Sequence, residues 1–117
     1  MIIAVPSETF PNERRVALVP NDIARLSKLK CDVHVQSGAG QMAGYLDSAY
    51  RDKGATIVAD RGELFKKAAI VAQVRAGGAN LDKGQEDLSR YREGQTLIAF
   101  IDPLAHASSA QSLAATG

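Results

Sequence analysis

Three charged residues stand where apolar runs of this sequence end, and their types suit the binding of an anion. Arg15 lies in the polar loop that follows the first apolar run, and Arg75 and Asp102 each come directly after a later run. Ligands of open α/β sheets bind outside the carboxyl ends of the strands, so these side chains could line one cleft. The two arginines would then supply the contacts to a negatively charged group.

Arg15 also has a simpler interpretation, as a surface arginine paired with a nearby carboxylate. Glu8 and Glu13 belong to the same polar loop, and charged side chains are mostly solvated. Spacing alone favours this surface ion pair over a contact with a ligand. Both interpretations stay open at the level of the sequence, and Arg15 is the first residue to test by substitution.

Residues 37–43 contain the glycine pattern G-x-G-x-x-A, which is close to a dinucleotide-binding fingerprint. In that fingerprint a helix begins within the glycines, so that its N-terminus faces the pyrophosphate. Here Gly44 and Tyr45 intervene before the next helix pattern, and the preceding strand pattern is rich in polar residues. We therefore interpret the segment as a flexible turn and predict that Gly38 to Gly44 binds no cofactor.

Cysteine and histidine offer little for metal or redox chemistry. Cys31 is the single cysteine, which excludes an internal disulfide and a thiolate metal cluster. His34 falls on the polar side of an alternating strand pattern, which predicts an exposed or edge histidine rather than a ligand. We assign no catalytic residue and no metal ligand from the sequence.

The segments that would position these residues alternate between strand and helix patterns. Apolar runs predict strands near residues 2–5, 32–36, 56–58, 69–74 and 96–101, the fourth of them central in its sheet. Strands that alternate with helices predict an open, doubly wound parallel α/β sheet.

Helical spacing and capping residues predict the connecting helices. The first begins at a cap on Asn21 or Asp22, and Asp47 and Asp60 cap helices over residues 48–53 and 63–68. Two further helices are predicted, a short polar one over residues 85–91 and one within residues 104–116.

Length and composition limit the classes of protein. The 117 residues predict one domain, and 45% hydrophobic with 23% charged residues is ordinary for a soluble globular chain. A net charge of +1 gives no electrostatic case for nucleic acid or for an anionic membrane. No run reaches the length of a membrane span, and the first residues lack a signal-peptide pattern. We expect a cytoplasmic protein.

Several segments of this chain carry a family resemblance. Residues 1–20, with the patterns P-x-E and N-E-x-R-V-A, resemble the N-terminal region shared by alanine dehydrogenases and the alpha subunits of proton-translocating NAD(P) transhydrogenases. The resemblance continues through residues 35–40, 55–58 and 92–97, so it covers essentially the whole chain. It implies a flavodoxin-like swivelling domain that packs across a cleft from a separate Rossmann domain holding NAD.

Departures from the family pattern favour the transhydrogenase branch. Alanine dehydrogenases have an arginine at the position of Arg15, a lysine at that of Arg75 and a histidine at that of Asp102. Arginine does not exchange a proton near neutral pH, and aspartate does not replace a histidine acid or base, so alanine chemistry is disfavoured. Residues 100–105 instead resemble the F-x-W-P-A segment of transhydrogenase alpha subunits, with Asp102 in place of the tryptophan.

The resemblance implies a function that this chain would share with further polypeptide. The NAD fingerprint and the second domain of the family would lie beyond Gly117, and the chemistry would be hydride transfer from NADH to NADP+ coupled to proton translocation. We expect a homodimer that assembles with the membrane and NADP-binding subunits, peripheral to the inner membrane, and an inactive isolated chain. A fragment of an alanine-dehydrogenase-like oxidoreductase and a non-catalytic packing module are the alternatives.

Overall fold

Five parallel strands form the sheet in the computed structural model, which describes residues 1–117. Every neighbouring pair of strands is parallel, which confirms the predicted open parallel α/β sheet. The predicted bounds agree with the structure to within one residue at each end. The strands are β1 (Ile2–Val5), β2 (Asp32–Gln36), β3 (Thr56–Val58), β4 (Ile70–Arg75) and β5 (Thr96–Phe100).

The order of the strands across the sheet is β3-β2-β1-β4-β5. The chain first moves outward from β1 to β3 and then returns to β4 on the other side of β1. This reversal is the topological switch point, where open α/β sheets have their ligand crevice. β3 is a three-residue edge strand. Without it the strands follow the order 2-1-3-4, which is how the flavodoxin order begins.

Five α-helices connect or follow the strands. Three residues form a 3-10 helix at Gln41–Ala43, and three more do so at Gly77–Ala79. None of the helices has the length and apolar character that crossing a membrane requires. The α-helices are α1 (Pro20–Lys28), α2 (Asp47–Asp52), α3 (Arg61–Lys67), α4 (Gly84–Leu88) and α5 (Ala107–Ala114).

The helix starts test the capping predictions. Asp60 accepts a hydrogen bond from the Glu63 amide at 2.7 Å, so its predicted cap on α3 is confirmed. The predicted cap on α1 was wrong, because Pro20 takes the first helical position and Asp22 instead accepts from the Val19 amide at 3.1 Å. Asp47 is also no cap, since it is the first residue of α2.

Two cores pack on the opposite faces of the sheet. On one face, Ile23 of α1 and Tyr50 of α2 cover the odd-numbered residues of β1 and β2, and both are fully buried. On the other face, Leu64 and Phe65 of α3 cover Ala4 and its neighbours, and both are again fully buried. Helices on both faces are what a parallel sheet requires, because its backbone must be shielded on either side.

His34 differs from its predicted environment. Because β2 lies between β1 and β3, its residues are not at a sheet edge, and His34 is half-buried. Its Nδ1 atom is buried without a hydrogen-bond partner. The alternating pattern identified the face of the strand correctly, but it could not show that α3 would pack over that face.

Candidate functional site

The loop that follows β1, residues 6–19, lies at the switch point of the sheet and carries most of the site. We call it the β1–α1 loop. Its Glu8 carboxylate accepts hydrogen bonds from two backbone amides at the end of β4, Val74 at 2.7 Å and Arg75 at 3.0 Å. Burial raises the pKa of Glu8, and these two hydrogen bonds act in the opposite direction. Glu8 therefore fastens the loop across the crevice onto β4.

Glu13 joins the two predicted arginines. Its carboxylate accepts from Arg15 Nε at 2.8 Å and Nη2 at 2.7 Å, and from Arg75 Nε at 2.9 Å. The Glu13 side chain is 6% exposed, whereas that of Arg15 is 60% exposed. Hydrogen bonding from Arg15, above all, lowers the pKa of Glu13 to about 2. The surface-pair interpretation of Arg15 thus has the right partner, and that partner also holds Arg75.

Arg75 and Asp102 line a common pocket of about 440 Å³ at the carboxyl end of β4 and β5. The Arg75 guanidinium lies 4.3 Å from the centre of the Phe10 ring, close enough for a cation–π contact. Asn80 also lines the pocket and donates to Thr9 Oγ1 at 2.8 Å. Arg75 therefore shares a pocket with Asp102 and a carboxylate, that of Glu13, with Arg15.

Arg15 faces a different cavity from the one that Asp102 lines. It borders an apolar groove of about 660 Å³ on the α1 face of the sheet. The groove lies over β4 and β5, where Ile98 and Phe100 are 58% and 68% exposed. The three predicted residues consequently form a chain of neighbours around Glu13 and Arg75 and do not converge on one point.

A second polar cluster next to the site was not predicted. Arg61 at the start of α3 makes two hydrogen bonds with Asp87 of α4, at 2.9 and 2.6 Å. Gln73 donates to the same carboxylate at 3.4 Å and accepts from Tyr91 Oη at 2.9 Å. In sequence Arg61 and Asp87 resemble the solvated charges of short polar helices, so no local signal distinguishes them.

Backbone conformation and close packing explain the three glycines of the turn after β2. Gly38 and Gly44 have φ values of +80° and +89°, which glycine adopts without strain. A Cβ on Gly40 would lie 2.6 Å from the Tyr50 ring. Asp47 closes the turn by accepting from Ser37 Oγ at 2.7 Å and from the Gly38 amide at 2.9 Å. That the turn binds no cofactor stays a prediction.

The hydrogen bonds at this turn also change the acidity of Asp47. The Ser37 hydroxyl and then the Gly38 amide lower its pKa, because both stabilise the carboxylate form. A residue predicted to cap α2 thus ties the glycine turn to that helix. No group of three or more histidine, cysteine, aspartate or glutamate side chains is arranged to hold a metal ion.

Fold and site together define an open, doubly wound α/β domain with a charged crevice at its switch point. The family model described as "Alanine dehydrogenase/PNT, N-terminal domain" matches residues 4–117 of this chain. The chain therefore belongs to the alanine dehydrogenase/PNT family and corresponds to its N-terminal domain.

Individual relatives come from both branches of the family. The NAD(P) transhydrogenase subunit alpha of Cereibacter sphaeroides is 36% identical over 107 residues, which cover 92% of this chain and 19% of the relative. The alanine dehydrogenase of Halomonas elongata is 34% identical over 117 residues, which cover all of this chain and 30% of the relative. The chain thus spans less than a third of the curated relatives it matches.

Solved structures similar to this chain also come from both branches of the family. A transhydrogenase from Sinorhizobium meliloti superimposes with a TM-score of 0.87 and 29% identity, covering all of this chain and 33% of that one. An L-alanine dehydrogenase superimposes with a TM-score of 0.89 and 25% identity, covering all of this chain and 30% of that one. The comparisons confirm the family and the fold, and relatives from both branches are among the matches.

Proposed function

We propose that this chain is the N-terminal part of an NAD(P) transhydrogenase alpha subunit and forms one wall of its hydride-transfer cleft. The whole protein would transfer hydride from NADH to NADP+ and couple this transfer to proton translocation. The observation that carries the proposal is the pair of arginines, Arg15 and Arg75, that one carboxylate holds at the switch point of a domain from this family.

We expect that the residues present here do not themselves form a dinucleotide cradle. The one glycine turn with a suitable spacing is packed against Tyr50, where a Cβ on Gly40 would already be too close. We therefore expect NAD to be held mainly by a further domain of the protein. When bound, the nicotinamide supplies the hydride chemistry, and the protein groups orient it and exclude water.

The two arginines would contribute charge and orientation at the cleft. Arg75 is restrained by Glu13 at Nε and by the Phe10 ring on its face. A guanidinium with its stem and one edge fixed loses less freedom when the remaining N–H groups bind a ligand. Arg15 is more exposed and would reach ligand from the rim of the apolar groove.

The choice of the transhydrogenase branch rests on the identity of two residues. The resemblance implies that Arg75 takes the lysine position and Asp102 the histidine position of the alanine dehydrogenase pattern. A guanidinium keeps its proton at all physiological pH values, so Arg75 would bind an anion without serving as an acid or base. The alternative is an alanine-dehydrogenase-like oxidoreductase, which the 34% identity to the Halomonas elongata enzyme supports.

Partners and location follow from the proposed function. As part of a transhydrogenase, the chain would form homodimers and assemble with the membrane and NADP-binding subunits. It would be cytoplasmic and peripheral to the inner membrane, without inserting into it. No partner role for nucleic acid is proposed, because the net charge is only +1.

Two chimeras test the branch. In one, this chain replaces the matching part of the Cereibacter sphaeroides alpha subunit, and hydride transfer from NADH to NADP+ is measured. In the other, it replaces the matching part of the Halomonas elongata alanine dehydrogenase, and alanine-dependent reduction of NAD+ is measured. We expect activity in the first and none in the second. The reverse pattern would identify an alanine-dehydrogenase-like chain, and two folded but inert chimeras would identify a packing module.

Arg15 is tested in the first chimera with its neighbour as control. We expect Arg15→Ala to lower hydride transfer about threefold to fivefold, because it removes an exposed charge, whose contribution solvent screens. Arg14→Ala is the matched control, since Arg14 is an exposed arginine next in sequence and forms none of the ion pairs at the site. Equal activities of the two variants would show that Arg15 only forms a surface ion pair and does not act in the cleft.

The isolated chain should bind NADH weakly. A single exposed ion pair contributes less than about 1 kcal/mol, whereas micromolar affinity requires about 8 kcal/mol. We expect a dissociation constant weaker than about 1 mM by calorimetry and no measurable transhydrogenation. Micromolar binding would place a cofactor site within this chain, and Gly38 to Gly44 would then be the first segment to examine.

A further inference from the structure

Arg61 is a nearly buried arginine next to the site, and all three of its guanidinium nitrogens are hydrogen-bonded. It is 14% exposed, and its Nε and Nη2 atoms donate to the two oxygens of Asp87 at 2.9 and 2.6 Å. The Asp87 side chain is 4% exposed and also accepts from Arg90 at 3.1 Å. A bidentate pair of this kind fixes the plane of the guanidinium as well as its position.

The third nitrogen of Arg61 points away from Asp87, toward the β1–α1 loop. Nη1 donates to the Ser7 carbonyl at 2.8 Å and to Gln36 Oε1 at 3.0 Å. Gln36 Oε1 in turn accepts from the Ser7 amide at 2.9 Å. Both backbone polar groups of Ser7 are therefore held by side chains, and neither belongs to a regular element.

We propose that Arg61 is a positioning residue that latches the β1–α1 loop to α3 and α4. Ser7 directly precedes Glu8, whose carboxylate spans the crevice to the Val74 and Arg75 amides. A loop held at Ser7 keeps Glu8 over β4. The importance of this latch for hydride transfer rests on the proposed function, but the latch itself does not.

The charges around Asp87 explain why the latch needs an arginine. Asp87 is already bonded by Arg90 and Gln73, so it keeps partners if Arg61 is changed. A lysine at position 61 has one ammonium and cannot bond both Asp87 oxygens and reach Ser7 at the same time. Arg61→Lys should therefore preserve a charge beside Asp87 while releasing the loop.

Amide hydrogen exchange distinguishes an ordinary buried ion pair from a residue that holds the loop. If Arg61 only stabilises the fold, its replacement lowers the protection of all core amides from hydrogen exchange by the same factor, because exchange then proceeds through global unfolding. If Arg61 holds the loop, the Val74 and Arg75 amides lose additional protection. Amides at the centre of β1, such as Ala4, provide the internal reference.

The experiment measures amide hydrogen exchange by NMR on the full chain. We expect Arg61→Lys to lower the protection of the Val74 and Arg75 amides at least tenfold more than that of Ala4. Gln36→Met should have the same local effect, because it removes the oxygen that accepts from both the Ser7 amide and Arg61 Nη1 and leaves the Arg61–Asp87 pair intact. This second variant keeps the test decisive if Arg61→Lys does not fold.

The matched control is Lys66→Met, which removes an exposed ion pair with Glu63 from the same helix. It should leave the ratio of protection between Val74 and Ala4 unchanged. Equal losses at Val74, Arg75 and Ala4 in Arg61→Lys, or in Gln36→Met if Arg61→Lys does not fold, would overturn the proposal. Because no chimera or cofactor is used, that result would be distinct from a failure of the proposed function.

Discussion

Glu8 and Glu13 belong to one loop, and the structure shifts their pKa values in opposite directions. Glu13 is bonded by two arginines, which lower its pKa to about 2. Glu8 bonds two backbone amides and no arginine, and burial, the largest effect, raises its pKa. At the residue scale, therefore, the hydrogen-bond partners and the burial of each carboxylate decide its pKa.

Replacement of Glu13 should remove a pH-dependent part of the stability. A carboxylate whose folded pKa lies below its unfolded value of 4.5 stabilises the fold above pH 4.5, and this contribution disappears as the pH falls toward about 2. We expect Glu13→Gln to cost roughly 1–3 kcal/mol at pH 6, because two arginines lose a nearly buried carboxylate, and to cost little at pH 2. Urea unfolding at a series of pH values measures the difference.

Replacement of Glu8 should change the free energy of unfolding with the opposite dependence on pH. A carboxylate with a raised folded pKa binds its proton more tightly in the native state, so its contribution to stability falls as the pH rises above 4.5. Relative to Glu8→Gln, the wild type should therefore lose free energy of unfolding as the pH rises from 4 to 7. The same sign of slope for both variants would contradict the two shifts.

At the scale of the elements, side chains of α2 hold two loops in place. The glycine turn after β2 is closed by Asp47 of α2 and filled by Tyr50 of the same helix. Tyr50 also donates to the Leu18 carbonyl at 2.9 Å, which ties α2 to the β1–α1 loop. One helix thus fixes two loops at the carboxyl end of the sheet.

Gly40→Ala tests how tightly that turn is packed. The added Cβ would lie 2.6 Å from Tyr50 Cε2 and 2.9 Å from the Tyr45 carbonyl oxygen, so helix and turn must move apart. We expect a loss of about 1–3 kcal/mol in the free energy of unfolding. Gly44→Ala is the control for backbone strain alone, since nothing lies within 4 Å of its Cβ position while φ is +89°.

The two glycine variants separate packing from strain. Gly44→Ala should cost about 1 kcal/mol, the ordinary penalty for a left-handed residue other than glycine. If Gly40→Ala costs no more than a few tenths of a kcal/mol, the turn has room that the structure does not indicate. A turn with such room would also reopen the question of a ligand there.

Asp60→Ala tests the predicted start of α3. The carboxylate accepts from the Glu63 amide at 2.7 Å, and its loss leaves that amide without a capping partner. We expect a cost of about 1 kcal/mol, within the usual range for capping residues. Asp60→Asn is the control, because an asparagine caps about as well and should be close to wild type. Equal costs would show that the charge matters and the hydrogen bond does not.

At the scale of the whole molecule, the two faces of the sheet differ in how fully they are covered. On the α3 face, Leu64 and Phe65 are fully buried. On the α1 face, the part over β4 and β5 forms the apolar groove, and Ile98 and Phe100 lie mostly in contact with solvent. Truncation of large apolar residues should therefore have very different effects on the two faces.

Leu64→Ala and Ile98→Ala form a matched pair. We expect Leu64→Ala to lower the free energy of unfolding by about 2–5 kcal/mol, because it leaves a cavity beneath α3. Ile98→Ala should change it by no more than about 0.5 kcal/mol, since the side chain is 58% exposed. Urea unfolding followed by circular dichroism suits this chain, which has no tryptophan. A large cost for Ile98→Ala would contradict the open groove.

Local patterns in the sequence determined the elements of this protein. The strands at 2–5, 32–36 and 56–58 have the predicted bounds, and Asp60 caps its helix as predicted. These features depend on residues within one turn or one strand, where periodicity and capping chemistry act directly. The caps on α1 and α2 were misplaced, because Pro20 already begins α1 and the Asp47 carboxylate accepts from the glycine turn instead of from its own helix.

The tertiary structure alone decided which distant residues meet. The sequence placed Arg15 and Arg75 at strand ends, and Glu13 was already a possible partner of Arg15, but only the order β3-β2-β1-β4-β5 brings Arg75 to the same carboxylate. The latch of Arg61 on Ser7 and Asp87 also depends on that order. The physical reason is that strand pairing joins segments far apart in the chain, and no local pattern records which strands become neighbours.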